Sequence, residues 1–134
     1  MKRVVIDTNV LVSAVIKSGG YPDTIMNSVS NKDLHLYYSR EIMDEYIRVL
    51  AYDKLSISTE TQHKIINSIE ELGTLIDPPT SNVSFIDESD RIFYDTAKEC
   101  EATLVTGNTR HFPSDPLVMS PMDFINDINK ACSK

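Results

Sequence analysis

"VVIDTNVLVSAVI", residues Val4 to Ile16, sets a single carboxylate, Asp7, in an otherwise apolar run. Arg3 to Ile6 reads as a β-branched strand of the kind buried on both faces. The trio Asp7, Thr8 and Asn9 carries helix N-cap chemistry, so a strand runs directly into a helix. Working outward, Ser18 to Gly20 ends that helix, and Pro22 is placed to begin another reaching about Asn31. Leu34 to Tyr38 forms a second strand, Ser39 caps a helix to about Tyr52, and Thr59 begins one that ends near Gly73. Thr74 to Ile76 is a short third strand. After "DPPTSN" come a loop, a helix from about Ser89 to Glu101, the strand "ATLVT", a polar turn, a brief "LVMS" strand and a last helix opened by Pro121. Strands alternating with helices predict a parallel α/β fold. No repeat, linker or low-complexity segment divides residues 1–134, so one domain is expected.

A chain of 134 residues with 41% hydrophobic content is long enough to bury a core of its own. It has no apolar run of about 18 residues and no signal-peptide pattern, which predicts a cytoplasmic protein without a membrane span. Cys100 and Cys132 lie far apart without paired-cysteine spacing, and reduced thiols are expected rather than a zinc site or disulfide. Twenty acids against thirteen bases give a net charge of −7, arguing against a lysine-rich surface for polyanions. Carboxylates gathered around a divalent cation would make much of that charge local, leaving Arg40, Arg48, Arg91 and Arg110 to line a groove.

In a parallel sheet, ligands collect at the carboxyl ends of the strands, and Asp7 falls there. It is either a helix cap or a site acid, and other acids must decide. "SREIMDEYIRVL" gathers Ile42, Met43, Tyr46, Ile47, Val49 and Leu50 on one broad helical face. Glu45 flanks that face and is the inward candidate, whereas Glu41 and Asp44 project toward the polar side beside Arg40 and Arg48. In "DESDRIFYDTAKEC", Asp87 and Asp90 have the spacing of a cap and its third helical position. Asp90 also continues the core-facing line through Phe93, Ala97 and Cys100, where an unpaired carboxylate needs a cation, a hydrogen-bonded partner or a raised pKa. Asp95 points away and is assigned to solvent. Oxygen ligands of this kind suit magnesium or manganese. Met26, Val29, Ile65, Ile66, Ile69 and Leu72 are expected in the core or a subunit contact, and Tyr37, Tyr38 and Tyr46 either stack on bases or are partly buried.

"VVIDTNVLVSA", then "SREIMDEYIRVL", then "DESDRIFYDTAKECEATLVTGNTRHF" resembles the PIN-domain nucleases, specifically the group described as toxins of toxin–antitoxin pairs. The likeness covers nearly the whole chain. It implies a three-layer α/β/α fold around a central, mostly parallel twisted sheet. It further implies a single-stranded RNA endonuclease in which Asp7, Glu45 and Asp90 match the family's metal-binding acids, using Mg2+ or Mn2+. A homodimer and a small antitoxin protein covering the cleft are implied as well. The chain departs from the commonest pattern at Asn108, where many relatives carry a fourth acid; an amide accepts a hydrogen bond but adds no negative charge. Thr106 and Asn108 are read as secondary site members, Asn9 and Arg110 as substrate contacts, and Gly107 as a strand-ending turn or part of the site. Asp115 is a possible substitute for the missing acid, and His111 is either a phosphate contact or a structural histidine. Two rivals stand beside this reading. One is a haloacid-dehalogenase-type phosphatase with Asp7 as nucleophile, which wants an acid where Asn9 stands. The other is a non-catalytic module that binds RNA or a partner protein.

Overall fold

The computed structural model describes residues 1–132. Strand β1 (Lys2–Ile6) leads into α1 (Thr8–Ile16) and α2 (Tyr21–Ser30), then β2 (Leu34–Ser39), α3 (Arg40–Leu50) and α4 (Thr59–Leu72). β3 (Thr74–Ile76) is followed by a loop, α5 (Arg91–Cys100), β4 (Thr103–Val105), β5 (Val118–Met119) and α6 (Pro121–Cys132). The five strands form one sheet in the order β3-β2-β1-β4-β5, and every neighbouring pair is parallel. Val4 lies opposite Leu36 on one side and Thr103 on the other.

Successive strand residues point to opposite faces. Val4, Val5 and Ile6 are nevertheless all at most 1% exposed, so both faces of the sheet are covered, as expected of a three-layer α/β/α arrangement. The largest fully buried side chains, Tyr46, Phe93 and Phe124, come from α3, α5 and α6. Ser39 ends β2 and caps α3, its hydroxyl accepting the Ile42 N–H at 3.2 Å. Met26, Ile65 and Leu72 are only partly buried and, with Val29 and Ile69, line an apolar groove among α1, α2 and α4. Tyr38 and Tyr46 are core residues, and Tyr37 stacks on His35 with ring centroids 4.5 Å apart. Cys100 is a half-buried free thiol, and the Cys132 side chain lies outside the described residues. Among the described residues, no helix is long and apolar enough to cross a membrane.

Two expectations need correction. Asp95 is buried rather than solvated, because the segment after β3 crosses the outer side of α5. Its Oδ2 accepts the Ser81 N–H at 3.1 Å. Arg91 is likewise not free to line a groove. It donates to the Ser81 carbonyl (2.7 Å), the Val83 carbonyl (2.5 Å) and both oxygens of Glu88 (2.7 and 2.9 Å), and it lies 5.0 Å from the Phe85 ring centre. This one guanidinium ties the crossing segment to the start of α5.

Chain direction positions the site. From β1 the sheet grows through β2 to β3 on one side, then through β4 to β5 on the other. The direction reverses between β1 and β4, and a crevice opens at the carboxyl ends of those two strands. Asp7 follows β1 and Thr106 follows β4.

Candidate functional site

Asp7 has the extended backbone of an N-cap, yet its side chain makes no capping bond to α1. Its Oδ2 instead accepts the Thr106 hydroxyl at 2.7 Å, across the crevice between the two strands. Thr106 is fully buried, and its hydroxyl oxygen also accepts the Asn108 N–H at 3.0 Å. The helix-cap explanation of Asp7 therefore gives way to a carboxylate held by the neighbouring strand end. Directly beneath, the Tyr46 hydroxyl donates to the Ile6 carbonyl and anchors α3 under the end of β1.

One residue before Tyr46, Glu45 turns toward the same edge with its side chain 16% exposed. Its Oε2 accepts the Thr8 hydroxyl at 2.5 Å, while Oε1 faces Arg48 at 3.3 Å. Asp90 arrives from a third direction, at the end of a short 3-10 turn, Glu88–Asp90, that Asp87 caps by accepting the Ser89 N–H at 3.0 Å. The Asp90 side chain is 15% exposed, and its Oδ2 is buried without a hydrogen-bond partner. His111 Nδ1 stands 3.8 Å from that oxygen.

The electrostatics follow from this convergence. Burial pushes the Asp7 carboxyl above its usual range. The Thr106 hydroxyl and Thr8 N–H oppose that rise, and the Glu45 charge adds to it. Burial first, then the charges of Asp7 and Asp87, push Asp90 up to about 6, with Glu45 adding a smaller push and His111 opposing. Burial and neighbouring negative charge thus disfavour ionisation of Asp7 and of Asp90 at one edge of the sheet. Among the described residues, no three His, Cys, Asp or Glu side chains close on one point as a ready-made chelate. The donors still fit a hard cation such as Mg2+, which takes one or two carboxylates directly and reaches others through retained water. The orphaned oxygen of Asp90 is the kind of acceptor such an ion would satisfy.

The structure brings Asp7, Glu45, Asp90 and Thr106 to one edge. It also places Asn9 there, whose Oδ1 accepts the Gly107 N–H at 3.4 Å and links the turns after β1 and β4. Asn108 is exposed and joins through its backbone, and Arg110 is exposed on the adjoining 3-10 turn, Thr109–His111. Asp115 does not replace the missing acid. It accepts from the Leu117 N–H (2.9 Å), Lys98 (2.9 Å) and the Tyr94 hydroxyl (3.0 Å), contacts that hold its carboxyl below the usual range. Sequence reasoning missed Thr8 as the partner of Glu45, and it did not foresee that His111 would stand beside Asp90. A threonine in a helix's first turn carries no sign of a distant glutamate partner, and the approach of His111 to Asp90 depends on how two turns meet in space.

A parallel α/β domain with buried acids at its switch point defines a carboxylate-lined cleft suited to a hard cation. Residues 3–110 match the family model described as the PIN domain. The chain belongs to the PIN-domain family. A relative 30% identical over 109 residues, 79% of this chain and 70% of its own length, is the uncharacterized protein MJ1680 of Methanocaldococcus jannaschii. Among solved structures, FitAB bound to an IR36 DNA fragment matches with a TM-score of 0.62 at 20% identity, over 88% of this chain and 94% of that one. VapBC2 from Rickettsia felis, bound to a DNA fragment from its promoter, matches with a TM-score of 0.57 at 17% identity, over 88% and 96%. Both structural likenesses establish the fold.

Proposed function

We propose that this chain is a divalent-metal-dependent endoribonuclease that hydrolyses single-stranded RNA, and that it is the toxin of a toxin–antitoxin pair. The observation that carries the reading is Asp90 Oδ2, a buried and unpartnered carboxylate oxygen in the field of Asp7 and Glu45. Such a pocket is costly unless a cation enters it. Membership of the PIN-domain family supports the nuclease class. Likeness to FitAB and VapBC2, both solved as complexes on DNA, supports a protein partner, here a small antitoxin. In this reading the chain is one cytoplasmic domain spanning 1–134 and works as a homodimer.

Asp7, Glu45 and Asp90 would hold Mg2+ or Mn2+, which supplies Lewis-acid stabilisation of the phosphoryl oxygens and a bound water of lowered pKa. The chain's own residues set the geometry. The Thr106 hydroxyl orients Asp7, the Thr8 hydroxyl orients Glu45, and the Asn9 to Gly107 bond fixes the two turns between which the strand of RNA would lie. Asn108 offers an amide to orient water or substrate, and Asn9 and Arg110 offer donors to the phosphate backbone. With Asn108 neutral, the reading calls for a single metal. The phosphatase alternative lacks its second acid, since the neutral Asn9 stands in that place, its amide oxygen accepting the Gly107 N–H.

The test is cleavage of single-stranded RNA by purified protein in Mn2+, beside Asp7→Asn. Wild type should cut, and the variant should stay folded and lose the activity. Equal cleavage by both would assign the activity to a contaminant or another site, while RNA bound and left intact by wild type would make the chain a binding module.

A further inference from the structure

Arg48 has two partners. On one side it pairs with Glu45, and on the other it donates to the hydroxyl of Tyr52, four residues on. Tyr52 is held in line beyond the end of α3 because its N–H still bonds the Val49 carbonyl at 3.0 Å. Tyr52 as a whole is 37% exposed. The Arg48 guanidinium carbon lies 5.8 Å from the ring centre, and the Lys54 ammonium 5.7 Å. Since Arg48 bonds the hydroxyl, it sits at the rim of the phenol and does not cover a ring face. A partly exposed aromatic ring, with Lys54 over it and Arg48 at its hydroxyl, is thus presented to solvent on a chain whose net charge is −7.

That combination has a chemical meaning. A nucleotide is a flat π-system joined to a phosphate. Single-strand binders recognise it by stacking the base on an aromatic ring while basic side chains track the backbone. The patch is continuous with the acidic cleft, because the same guanidinium touches both Glu45 and Tyr52. One arginine side chain spans from Glu45 to the Tyr52 hydroxyl, which puts the ring within reach of a nucleotide neighbouring one seated at the acids. We propose that Tyr52, bordered by Arg48 and Lys54, is a base-stacking and phosphate-binding subsite for a single-stranded RNA nucleotide next to the cleaved bond. This rests on the nuclease reading above. The subsite adds to the acidic cleft a second place, besides Arg110, where a polyanion is attracted.

The probe is a short fluorescein-labelled poly(U) RNA, with poly(dT) as a second arm. Binding is read by anisotropy in EDTA and cleavage by steady-state kinetics in Mn2+. Tyr52→Ala should weaken RNA binding about tenfold and raise KM with kcat held, while Tyr52→Phe, which keeps the ring, should bind within about twofold of wild type. Lys54→Gln should flatten the dependence of log affinity on log salt by about 0.7, the share of one phosphate on a single strand. Tyr21→Ala, at an exposed tyrosine on α2, should change nothing. Equal RNA affinity of Tyr52→Ala and wild type, with wild type still cutting RNA, overturns the subsite and leaves the nuclease reading standing. Folded wild type that neither binds nor cuts RNA overturns both. Weakening confined to poly(dT) overturns the assignment to RNA.

Discussion

Replacing Asp90 by asparagine should make the metal-free protein more stable, although it removes a residue placed at the centre of the site. In the fold this carboxyl is raised from its ordinary 3.8 to about 6 by burial and by the charges of Asp7 and Asp87. Its ionisation therefore works against folding. Taken at face value that displacement is worth at most ~3 kcal/mol. Water reaching the partly open cleft screens the repulsion, so ~1 kcal/mol is the expected gain for Asp90→Asn at about pH 8 in EDTA. The sign with pH is fixed. A carboxyl whose folded value is raised penalises the fold fully above about 6, and the penalty fades as pH falls toward 3.8. The variant's advantage should shrink over that window and vanish below it. Urea unfolding in EDTA, repeated at several pH values, measures it directly. With Mn2+ the order should reverse, because only wild type keeps the full ligand set and gains linkage stabilisation. An Asp90→Asn protein that is no more stable than wild type in EDTA at about pH 8 would refute the account of a strained acidic pocket.

Thr106→Val removes the hydroxyl that serves both Asp7 and Asn108, so it should cost ~1–2 kcal/mol of stability and lower RNA cleavage by about 10- to 100-fold. Thr106→Ser, which keeps the hydroxyl, should retain most of the activity in the same assay. Gly73→Ala should destabilise by ~1–3 kcal/mol in urea, since an added Cβ would stand 2.8 Å from the Ile69 carbonyl and 2.9 Å from the Tyr38 ring. A cost under ~0.5 kcal/mol would show that the ring yields freely. Arg91→Lys should speed hydrogen exchange at the Ser81 N–H, because a lysine cannot fork to two carbonyls and a glutamate at once.

The fold was legible where the pattern is local. The run Val4 to Ile6 could be read as a strand buried on both faces because it lacks alternation, and all three residues prove buried. Ser39 announced the start of α3 by its capping chemistry, and it caps. Helix ends were less legible: α3 stops at Leu50, and the helix expected from about Ser89 is a 3-10 turn until Arg91. Asp95 was misplaced for a non-local reason. Helical periodicity assigns a residue to a face, but nothing in α5 tells that the segment around Ser81 will cross that face. The candidate acids were legible as a set because strand ends, apolar stripes and helix starts each leave a local mark. Their partners were not. The bonds from Thr8 to Glu45 and from Thr106 to Asp7 join residues whose separation in sequence carries no periodic signal.

The way the cleft is fastened bears on the meaning of Asn108. A threonine hydroxyl has one hydrogen to give and lone pairs to accept. In Thr106 the hydrogen goes to Asp7, and the Asn108 N–H occupies an acceptor site. A second link, from the Gly107 N–H to Asn9, ties the same turn to the start of α1. The turn after β4 thus positions Asp7 through the Thr106 hydroxyl, which is itself held by a backbone N–H that any residue except proline supplies at 108. A neutral side chain there leaves that fastening intact and spares a cleft that already holds three mutually repelling carboxylates a fourth charge. The β1 and β4 side of the site is therefore preorganised. Asp90 enters differently, on a 3-10 turn held by Asp87, with its own Oδ2 unpartnered and His111 Nδ1 3.8 Å away. A site built this way has two oriented acids and one under-bonded acid. If a cation enters as proposed, adjustment would be cheapest where no hydrogen bond has to break, which is at Asp90 Oδ2.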